Sequence, residues 1–338
     1  MERLPEGYTA RPIAMEDTED VAALVNAYLE SNGSAERFSP ERLRGQLSIP
    51  GFDLERATQL VAGPEGDLVA AGLVIDVAEP HVNVHGVAVV LREHQGRGIG
   101  SALHAWIETV ARGAIEKAPA DARVVLQQSV TENERSANAF LQAAGYTHAR
   151  HFWRMAVDLE DDVETADWPE AFELRTLDPA EDLPPVVEAM IDAFRDHYGH
   201  VEGDPDEQLE RIKHRMENDP AFDPKLHFLA CSGDEIAAIC FGSGEFGGDK
   251  NIGYVNALGV RRNWRRKGLA LALLRHAFGE LKSRGKKRAM LHVDAESLTG
   301  ATRVYEKAGM SVDELSHLFE LELRPGVDLA KKEADDSS

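Results

Sequence analysis

The sequence predicts an α/β protein built from two similar domains, each with a mixed, mostly antiparallel sheet flanked by helices. Three observations indicate this. The chain has 338 residues, which is long for one domain and ordinary for two. Two segments about 170 residues apart carry the same motif. Each copy opens with strand patterns and ends in an alternation of strand, helix, strand, helix and strand.

The internal repeat is anchored at three places. "VLREHQGRGIG" from Val90 aligns without gaps with "VRRNWRRKGLA" from Val260, at an offset of 170. "YTARP" aligns with "FELRT", and "FLQAAGY" with "VYEKAGM", both at an offset of 164. Three anchors in the same order favour a duplication over chance. We therefore predict an N-terminal domain over 1–160, a C-terminal domain over 170–325 and a polar tail over 326–338.

The second copy shows the element order most clearly. "FELRTL" predicts a short strand, and "AEDLPPVVEAMIDAF" and "PDEQLERIKHRMEN" predict helices. "HFLACSGDEIAAICFGS" predicts a hairpin that turns at Gly233 and Asp234. The strand "IGYVNALGV", a helix closed by Gly285, the strand "RAMLHVDA", the helix "SLTGATRVYEKAGM" and the strand "SVDELSHLFELEL" complete the copy. The first copy follows the same order.

Composition restricts the partners and the compartment. With 37 basic and 59 acidic residues the formal net charge is −22, which argues against general binding to nucleic acid or anionic membranes. The two cysteines, Cys231 and Cys240, lack metal-ligand spacing and are interpreted as reduced thiols. No signal-peptide layout or long apolar run is present. We expect a cytoplasmic monomer or homodimer without a metal, a membrane or a nucleic acid as partner.

The repeated motif predicts an anion site. "QGRGIG" and "RRKGLA" each follow a β-branched strand and open an amphipathic helix, where free N–H groups and the helix dipole favour a phosphate. The small residues Gly98, Gly100, Gly268 and Ala270 let a phosphate approach the backbone. The motif fits neither a Walker A loop nor a dinucleotide fingerprint, because Ser101 stands at the third glycine. A tight turn that binds nothing is the alternative.

The spacing [Q/R]-x-x-G-x-[G/A], five residues after a strand-ending valine, resembles the Gcn5-related N-acetyltransferase (GNAT) family in both halves. The resemblance implies acetyl-CoA as co-substrate, with its pyrophosphate on the loop and its pantetheine beside the preceding strand. In the second half it implies binding by Leu258, Val260, Arg265, Arg266, Lys267, Gly268, Leu269 and Ala270. In the first half it implies binding by Ala88, Val90, Gln95, Gly96, Arg97, Gly98, Ile99, Gly100 and Asn133.

The same resemblance separates the two halves by chemistry. In this family, a tyrosine four residues before the glycine that closes the next helix protonates the departing thiolate. Tyr305 holds this position, whereas Leu141 replaces it in the first half. We therefore expect the second half to catalyse and the first to be a structural or binding relic. A core tyrosine is the alternative for Tyr305.

Two further differences between the halves concern the cofactor. Residues 261–288 contain eleven Arg or Lys and one acid, against four basic and three acidic residues in 92–117. We therefore expect the second site to bind CoA better, although a solvated basic helix face is the alternative. The family often has an asparagine early in the last helix. The first half keeps Asn133, whereas Ser297 stands in the second half and predicts a weaker or different contact.

The general base and the acceptor site are predicted less directly. Glu245, at the end of the hairpin, and His292, on the next strand, could each relay a proton through water. A solvated acid and a strand histidine with structural partners are the alternatives. His197, Tyr198 and His200 lie in "FRDHYGHVEGD", the segment that shapes the acceptor pocket in this family, and ordinary loop polarity is the alternative.

The sequence thus predicts an N-acetyltransferase that moves an acetyl group from acetyl-CoA to a primary amine of a small molecule, by direct attack with Tyr305 as general acid. The layout, including "FDPKLHFLA" before the hairpin, is similar to that of the mycothiol synthases, tandem members of the family that acetylate the cysteinyl amine of a pseudodisaccharide thiol precursor. The alternatives are an aminoglycoside or polyamine acetyltransferase, which an acidic surface would suit, and a non-catalytic acyl-CoA-binding sensor.

Overall fold

The computed structural model describes residues 4–160, 164–297 and 300–330, so most of the predicted tail lies outside the described residues. The chain divides into two units. The first unit contains the chain up to Ala149, together with Asn218–Pro220 and His317–Leu329. The second unit consists mainly of Arg150–Glu217 and Ala221–Ser316.

The elements follow the repeat. The first half of the sequence forms β1 (Thr9–Arg11), α1 (Thr18–Ser31), α2 (Pro40–Leu47), α3 (Leu54–Ala57), β2 (Thr58–Ala62), β3 (Leu68–Ile75), β4 (Asn83–Val90), α4 (Ile99–Ala111), β5 (Val124–Thr131), α5 (Arg135–Ala143) and β6 (Thr147–Asp158). The second half forms β7 (Glu173–Thr176), α6 (Leu183–Phe194), α7 (Pro205–Asn218), β8 (His227–Ser232), β9 (Glu235–Ser243), β10 (Ile252–Val260), α8 (Leu269–Ser283), β11 (Arg288–Asp294), α9 (Ala301–Lys307) and β12 (Ser311–Arg324).

The sheet of the first unit has the order β1-β2-β3-β4-β5-β12. Strands β1 to β4 pair antiparallel in sequence, and β4 pairs parallel with β5. Helix α4 covers one face, where Ile99 and Leu103 are fully buried against β2 and β3. Helices α1 and α2 pack Val21, Leu24 and Leu43 into a separate apolar cluster.

The sheet of the second unit has the order β6-β11-β10-β9-β8-β7. Here β7 to β10 pair antiparallel, β10 pairs parallel with β11, and β11 pairs antiparallel with β6. The largest core cluster lies under α8, where Leu273 and Phe278 are inaccessible to solvent. The predicted fold class, mixed and mostly antiparallel sheets flanked by helices, is confirmed in both units.

The last strand of each unit comes from the opposite half of the sequence. Residues Phe152–Asp158 of β6 pair with β11 in the second unit, although they close the first copy of the repeat. Conversely, the part of β12 from His317 onwards belongs to the first unit, next to β5. The predicted division at residues 160 to 170 assigns each strand to its own half of the sequence and so does not include this exchange.

Other details differ in small ways from the sequence prediction. Asn133 lies in an exposed turn before α5, because that helix begins only at Arg135. Ser297 lies before α9, and its hydroxyl accepts a hydrogen bond from the backbone of Ala301 at 3.3 Å. None of the described helices combines the length and the apolar character needed to cross a membrane.

Candidate active site

Strands β10 and β11 part within the second unit. Their parallel pairing covers only Ile252–Tyr254 and Arg288–Met290, whereas β10 continues to Val260. A bulge interrupts the pairing of β10 with β9 between Val255 and Ala257. Backbone groups along the open edge of β10 need another hydrogen-bond partner, because buried peptide groups are almost always paired. An extended, amide-containing ligand can supply it.

The loop after β10 has the conformation of an anion cradle. Arg266 and Gly268 both have a left-handed backbone, with φ of 63° and 84°, and α8 begins at the next residue. Alternation of left- and right-handed residues turns successive N–H groups towards one point, and the helix dipole adds positive potential there. Gly96 and Gly98 repeat the pattern in the first unit, with φ of 74° and 91°.

Most of the basic side chains in the stretch after β10 have acidic partners. Arg262 and Arg265 both pair with the buried Asp196, the latter at 2.6 Å, and Arg261 pairs with Asp192 at 3.2 Å. Arg265 also donates to the carbonyl of Val260 at 3.2 Å, as Gln95 donates to Val90 in the first unit at 3.1 Å. These side chains therefore fix the loop against the strand and α6.

Arg266 and Lys267 remain available for a ligand. Both are exposed, and no ion pair is recorded for either within the described residues. The ammonium of Lys267 lies 6.0 Å from the ring centroid of Phe172. Leu269 is buried and anchors the start of α8. The loop therefore offers a ligand its backbone N–H groups and the side chains of Arg266 and Lys267.

Tyr305 lies on α9 and is 8% exposed. It belongs to the core cluster that includes Val255 of β10 and against which Leu258 and Val260 pack. Its hydroxyl has no hydrogen-bond partner within the described residues. Burial raises the pKa of Tyr305, and the neighbouring Cys240 and Tyr254 contribute to the rise, so the phenol carries its proton at neutral pH.

Tyr254, which contributes to the raised pKa of Tyr305, belongs to a polar network that the sequence did not reveal. The Tyr254 hydroxyl lies 2.6 Å from Nδ1 of His292, and its ring stacks on Phe246 at 4.6 Å. Although His292 retains solvent access, the protein packed around the ring lowers its pKa to about 4, and the charge of Arg154 adds to this. His292 is therefore neutral at physiological pH.

Glu245 lies in the loop after β9, next to Phe246. It is partly buried, and its backbone N–H donates to the Ser243 hydroxyl at 3.3 Å. No ion pair is recorded for its carboxylate within the described part of the chain. Glu245 and His292 thus both stay candidates for the general base, but only His292 has a recorded link to Tyr254.

One of the acceptor-side candidates, Tyr198, lies against Arg150. Its guanidinium forms two hydrogen bonds with Asp294, at 2.9 and 3.0 Å, and lies 4.4 Å from the ring centroid of Tyr198. Burial is the main cause of a lowered pKa of His197, whose ring contacts Phe194 at 4.7 Å. His200 donates its backbone N–H to the carbonyl of His197 at 3.1 Å. The structure therefore brings Tyr198 to the carboxyl end of β11.

The first unit has the same frame with different chemistry. Strands β4 and β5 pair only over Asn83–His85 and Val125–Gln127, and a cavity opens beside the unpaired part of β4. Of the predicted residues, Ala88, Val90, Gln95, Gly96 and Gly100 line this cavity, as does Leu141. Arg97 instead donates to the Tyr8 hydroxyl at 3.2 Å, and Ile99 is buried beneath the loop.

Sequence reasoning missed Arg150, Tyr254 and Phe246. Arg150 lies in the first copy of the repeat, 144 positions from Asp294, and only the strand exchange explains their contact. Tyr254 could have been predicted, because it is the only aromatic residue of β10. It lies at the last position where β10 pairs with β11.

Comparisons with known proteins agree with this geometry. The model of the acetyltransferase (GNAT) family matches residues 21–146 and 187–310. A mycothiol acetyltransferase from Thermobispora bispora is 30% identical over 302 residues, which cover 87% of this chain and 92% of that relative. The GCN5-related N-acetyltransferase from Sphaerobacter thermophilus has a solved structure that is 32% identical, with a TM-score of 0.79, and the match covers 97% of this chain and 99% of that one.

A second solved structure shows that the fold extends to more distant proteins. The tandem GNAT protein from the clavulanic acid biosynthesis pathway is 17% identical, with a TM-score of 0.71. The match covers 95% of this chain and 100% of that one, so the likeness includes both units.

Proposed function

The chain belongs to the GNAT family and is an acetyl-CoA-dependent N-acetyltransferase, and we propose that its second unit acetylates a primary amine of a small molecule with Tyr305 as general acid. The first unit does not catalyse in this proposal. The carrying observation is the position of Tyr305, a protonated phenol in the cluster that borders the open edge of β10.

Acetyl-CoA enters this proposal through the loop and the open strand. Its pyrophosphate lies on the backbone of Arg265–Ala270, next to the side chains of Arg266 and Lys267. Its pantetheine pairs with β10 near Leu258 and Val260, where pairing with β11 has ended. Arg265 orients the loop by its contacts with Asp196 and Val260.

The reaction is a direct transfer. The neutral amine attacks the thioester carbon, the C–N bond forms, and the C–S bond breaks as the tetrahedral intermediate collapses. Tyr305 gives its proton to the departing thiolate, and the amine loses one to a base. His292 suits this role because it is neutral at physiological pH, and Tyr254 links it to the site. Glu245, reached through water, is the second candidate.

The acceptor is proposed to bind where Tyr198, His197 and His200 approach the end of β11. Arg150 pairs with both Asp294 and Glu296, at 2.9 and 3.0 Å, and Glu296 is the more exposed of the two carboxylates. Carboxylates attract an ammonium group before it loses its proton. The relative named mycothiol acetyltransferase supports a mycothiol-type acceptor as the first compound to test, ahead of aminoglycosides and polyamines.

A steady-state assay of CoA release across an amine panel tests the reaction. The panel contains a cysteinyl pseudodisaccharide, an aminoglycoside and a polyamine, and a thiol reagent detects the released CoA. Because the free thiol of the cysteinyl compound would react with the same reagent, that compound is used with its sulfur blocked. Tyr305→Phe is expected to lower kcat by about 100-fold or more, the usual contribution of general acid catalysis. The Kd for acetyl-CoA is expected to stay the same, because the phenol acts only on the departing sulfur.

The matched control is Tyr146→Phe, which removes the hydroxyl of a buried tyrosine in the first unit that contacts Gln128 at 2.7 Å. This variant is expected to keep the wild-type kcat. A Tyr305→Phe enzyme with an unchanged rate would refute the general acid. Absence of turnover with every amine in the wild type, despite acetyl-CoA binding, would instead favour a sensor.

A further inference from the structure

The first unit contains a cavity of about 650 Å³ that continues from the predicted cofactor loop. At one end it is lined by Gln95, Gly96 and Gly100 and by the unpaired segment of β4, residues 87–90. At the other end it reaches between α1, α2 and β3. A volume of this size is typical of a small-molecule site.

The far end of the cavity is apolar. Most of its lining comes from Val25, Leu29, Leu43, Leu47 and Leu73, with Asn32 and Gln46 as the polar residues of this region. In the second unit the acceptor side carries Arg150, Tyr198 and His197 instead. Because an apolar wall offers water few hydrogen bonds, an apolar occupant gains free energy there.

The polar groups of this cavity do not form an acceptor site for an amine. Glu134 accepts hydrogen bonds from the Tyr28 hydroxyl at 2.5 Å and from the backbone of Thr131 at 2.6 Å, so protein groups already satisfy the carboxylate. Leu141 borders the cavity where the second unit has Tyr305. The site therefore lacks a proton donor at that position.

His104 is one of the polar residues in the cavity wall. Nδ1 of His104 is buried and has no hydrogen-bond partner within the described residues. His104 lies one turn after Gly100 on α4, between the loop and the apolar end. Burial lowers the pKa of His104, so the ring adds no positive charge to the cavity wall at neutral pH.

We propose that the first unit binds, without transferring, an acyl-CoA whose acyl chain is longer than acetyl. The CoA phosphates occupy the loop Gln95–Gly100, the pantetheine follows β4 past His104, and the acyl chain lies among the leucines between α1 and α2. The continuity of the apolar end with the CoA loop selects this ligand over a free apolar molecule. Acetyl transfer in the second unit does not depend on it.

Calorimetric titration with acetyl-, butanoyl- and hexanoyl-CoA tests the proposal on the full chain. Each buried methylene is expected to tighten binding about fourfold, which amounts to on the order of 100-fold from acetyl to hexanoyl. Gly98→Val, which forces a β-branched residue into a left-handed backbone, is expected to abolish the chain-length gain. Gly268→Val, the same change in the second unit, is expected to leave it intact.

Two changes at Leu29 test the position of the chain. Leu29 is only partly buried, so the change to Trp fills the cavity without disturbing the core. Leu29→Trp is expected to remove the chain-length gain, while Leu29→Met, similar in volume, keeps it. Thermal melting shows whether each variant is folded. Equal affinity for acetyl- and hexanoyl-CoA would overturn the proposal. It would also be overturned if hexanoate bound as tightly as hexanoyl-CoA, or if the increase in affinity with chain length were lost only in Gly268→Val.

Discussion

At the scale of single residues, the surroundings of Tyr305 and His292 set which of the two carries a proton at neutral pH. Tyr305 is protonated because burial disfavours the phenolate. His292 is neutral because the surrounding protein disfavours the imidazolium. A protonated acid and a neutral base at one pH are the pair that acetyl transfer to an amine requires.

The pH dependence of kcat distinguishes the two candidate bases. A base works in its deprotonated form, so with His292 as base activity falls as the pH drops through about 4, not through the ordinary histidine value near 6.5. We expect His292→Gln to lower the plateau of kcat by about 100-fold and to remove this acidic limb. The measurement is kcat at saturating amine between pH 3.5 and about 8, within the range where the protein stays folded.

Glu245→Gln is the matched comparison for this profile. It neutralises the other candidate by a change of similar size, and we expect the limb and the plateau to persist. The reverse result, with the limb lost in Glu245→Gln and kept in His292→Gln, would transfer the role to Glu245. A limb near 6.5 in the wild type would contradict a lowered pKa of His292.

At the scale of elements, the basic stretch after β10 has two tasks. Arg261, Arg262 and Arg265 hold the loop to acids on and just after α6, so their charges are largely neutralised. Arg266 and Lys267 face solvent at the helix start and are the charges left for phosphate. The charge count predicted that the second unit binds CoA better than the first, which stays a prediction, and ion pairing leaves Arg266, Lys267 and the backbone of this loop to bind phosphate.

Gly268 and Gly279 allow a direct test of the loop conformation. Gly268 precedes α8 with φ of 84°, whereas Gly279 lies exposed inside the same helix with no atom near the position of an added Cβ. Gly268→Ala is expected to lower the free energy of unfolding by about 1 kcal/mol, since alanine disfavours the left-handed region. Its acetyl-CoA affinity is expected to fall about tenfold, because one charge-assisted hydrogen bond from the cradle is lost.

Gly279→Ala is expected to do the opposite for stability and nothing for binding. Alanine in a helix interior is favoured over glycine by about 0.5–1 kcal/mol. Chemical denaturation and calorimetric titration measure both quantities for each variant. Similar losses of acetyl-CoA affinity in the two variants would show that the backbone of Gly268 has no special part in binding.

The sequence predicted the elements well and their contacts less well. Hydrophobic periodicity and turn residues are local signals, and they indicated the β8–β9 hairpin, α8 and both loops. Helix α5 begins at Arg135, so Asn133 lies two residues before the helix, and its contact with CoA stays a prediction. Arg150 could not be predicted, because its partner Asp294 is distant in sequence and no local pattern joins them.

At the scale of the whole molecule, the exchange of β6 and β12 is the feature with the broadest consequences. Both strands end their copy of the repeat and have similar alternation, so either could complete either sheet by pattern alone. In the first unit, Glu320 of β12 is buried and accepts hydrogen bonds from Arg123 and Gln127 at 3.1 and 3.0 Å. In the second unit, Arg150 of β6 reaches Asp294. Each half of the sequence thus completes the unit built mainly by the other.

Separate expression of the two halves tests the exchange. A fragment of residues 1–162 lacks the strand beside β5, and a fragment of residues 163–338 lacks the strand beside β11 and the Arg150 side chain. Each fragment alone exposes a sheet edge and is expected to aggregate or to bind a hydrophobic dye. Co-expressed, the fragments are expected to co-purify as one complex with the melting behaviour and CoA release of the intact chain.

Replacing Arg150 by Ala in the N-terminal fragment is expected to change the KM for the amine, because that fragment supplies the guanidinium beside Tyr198. Two fragments that fold independently as monomers, with full activity in the C-terminal one, would contradict the exchanged arrangement.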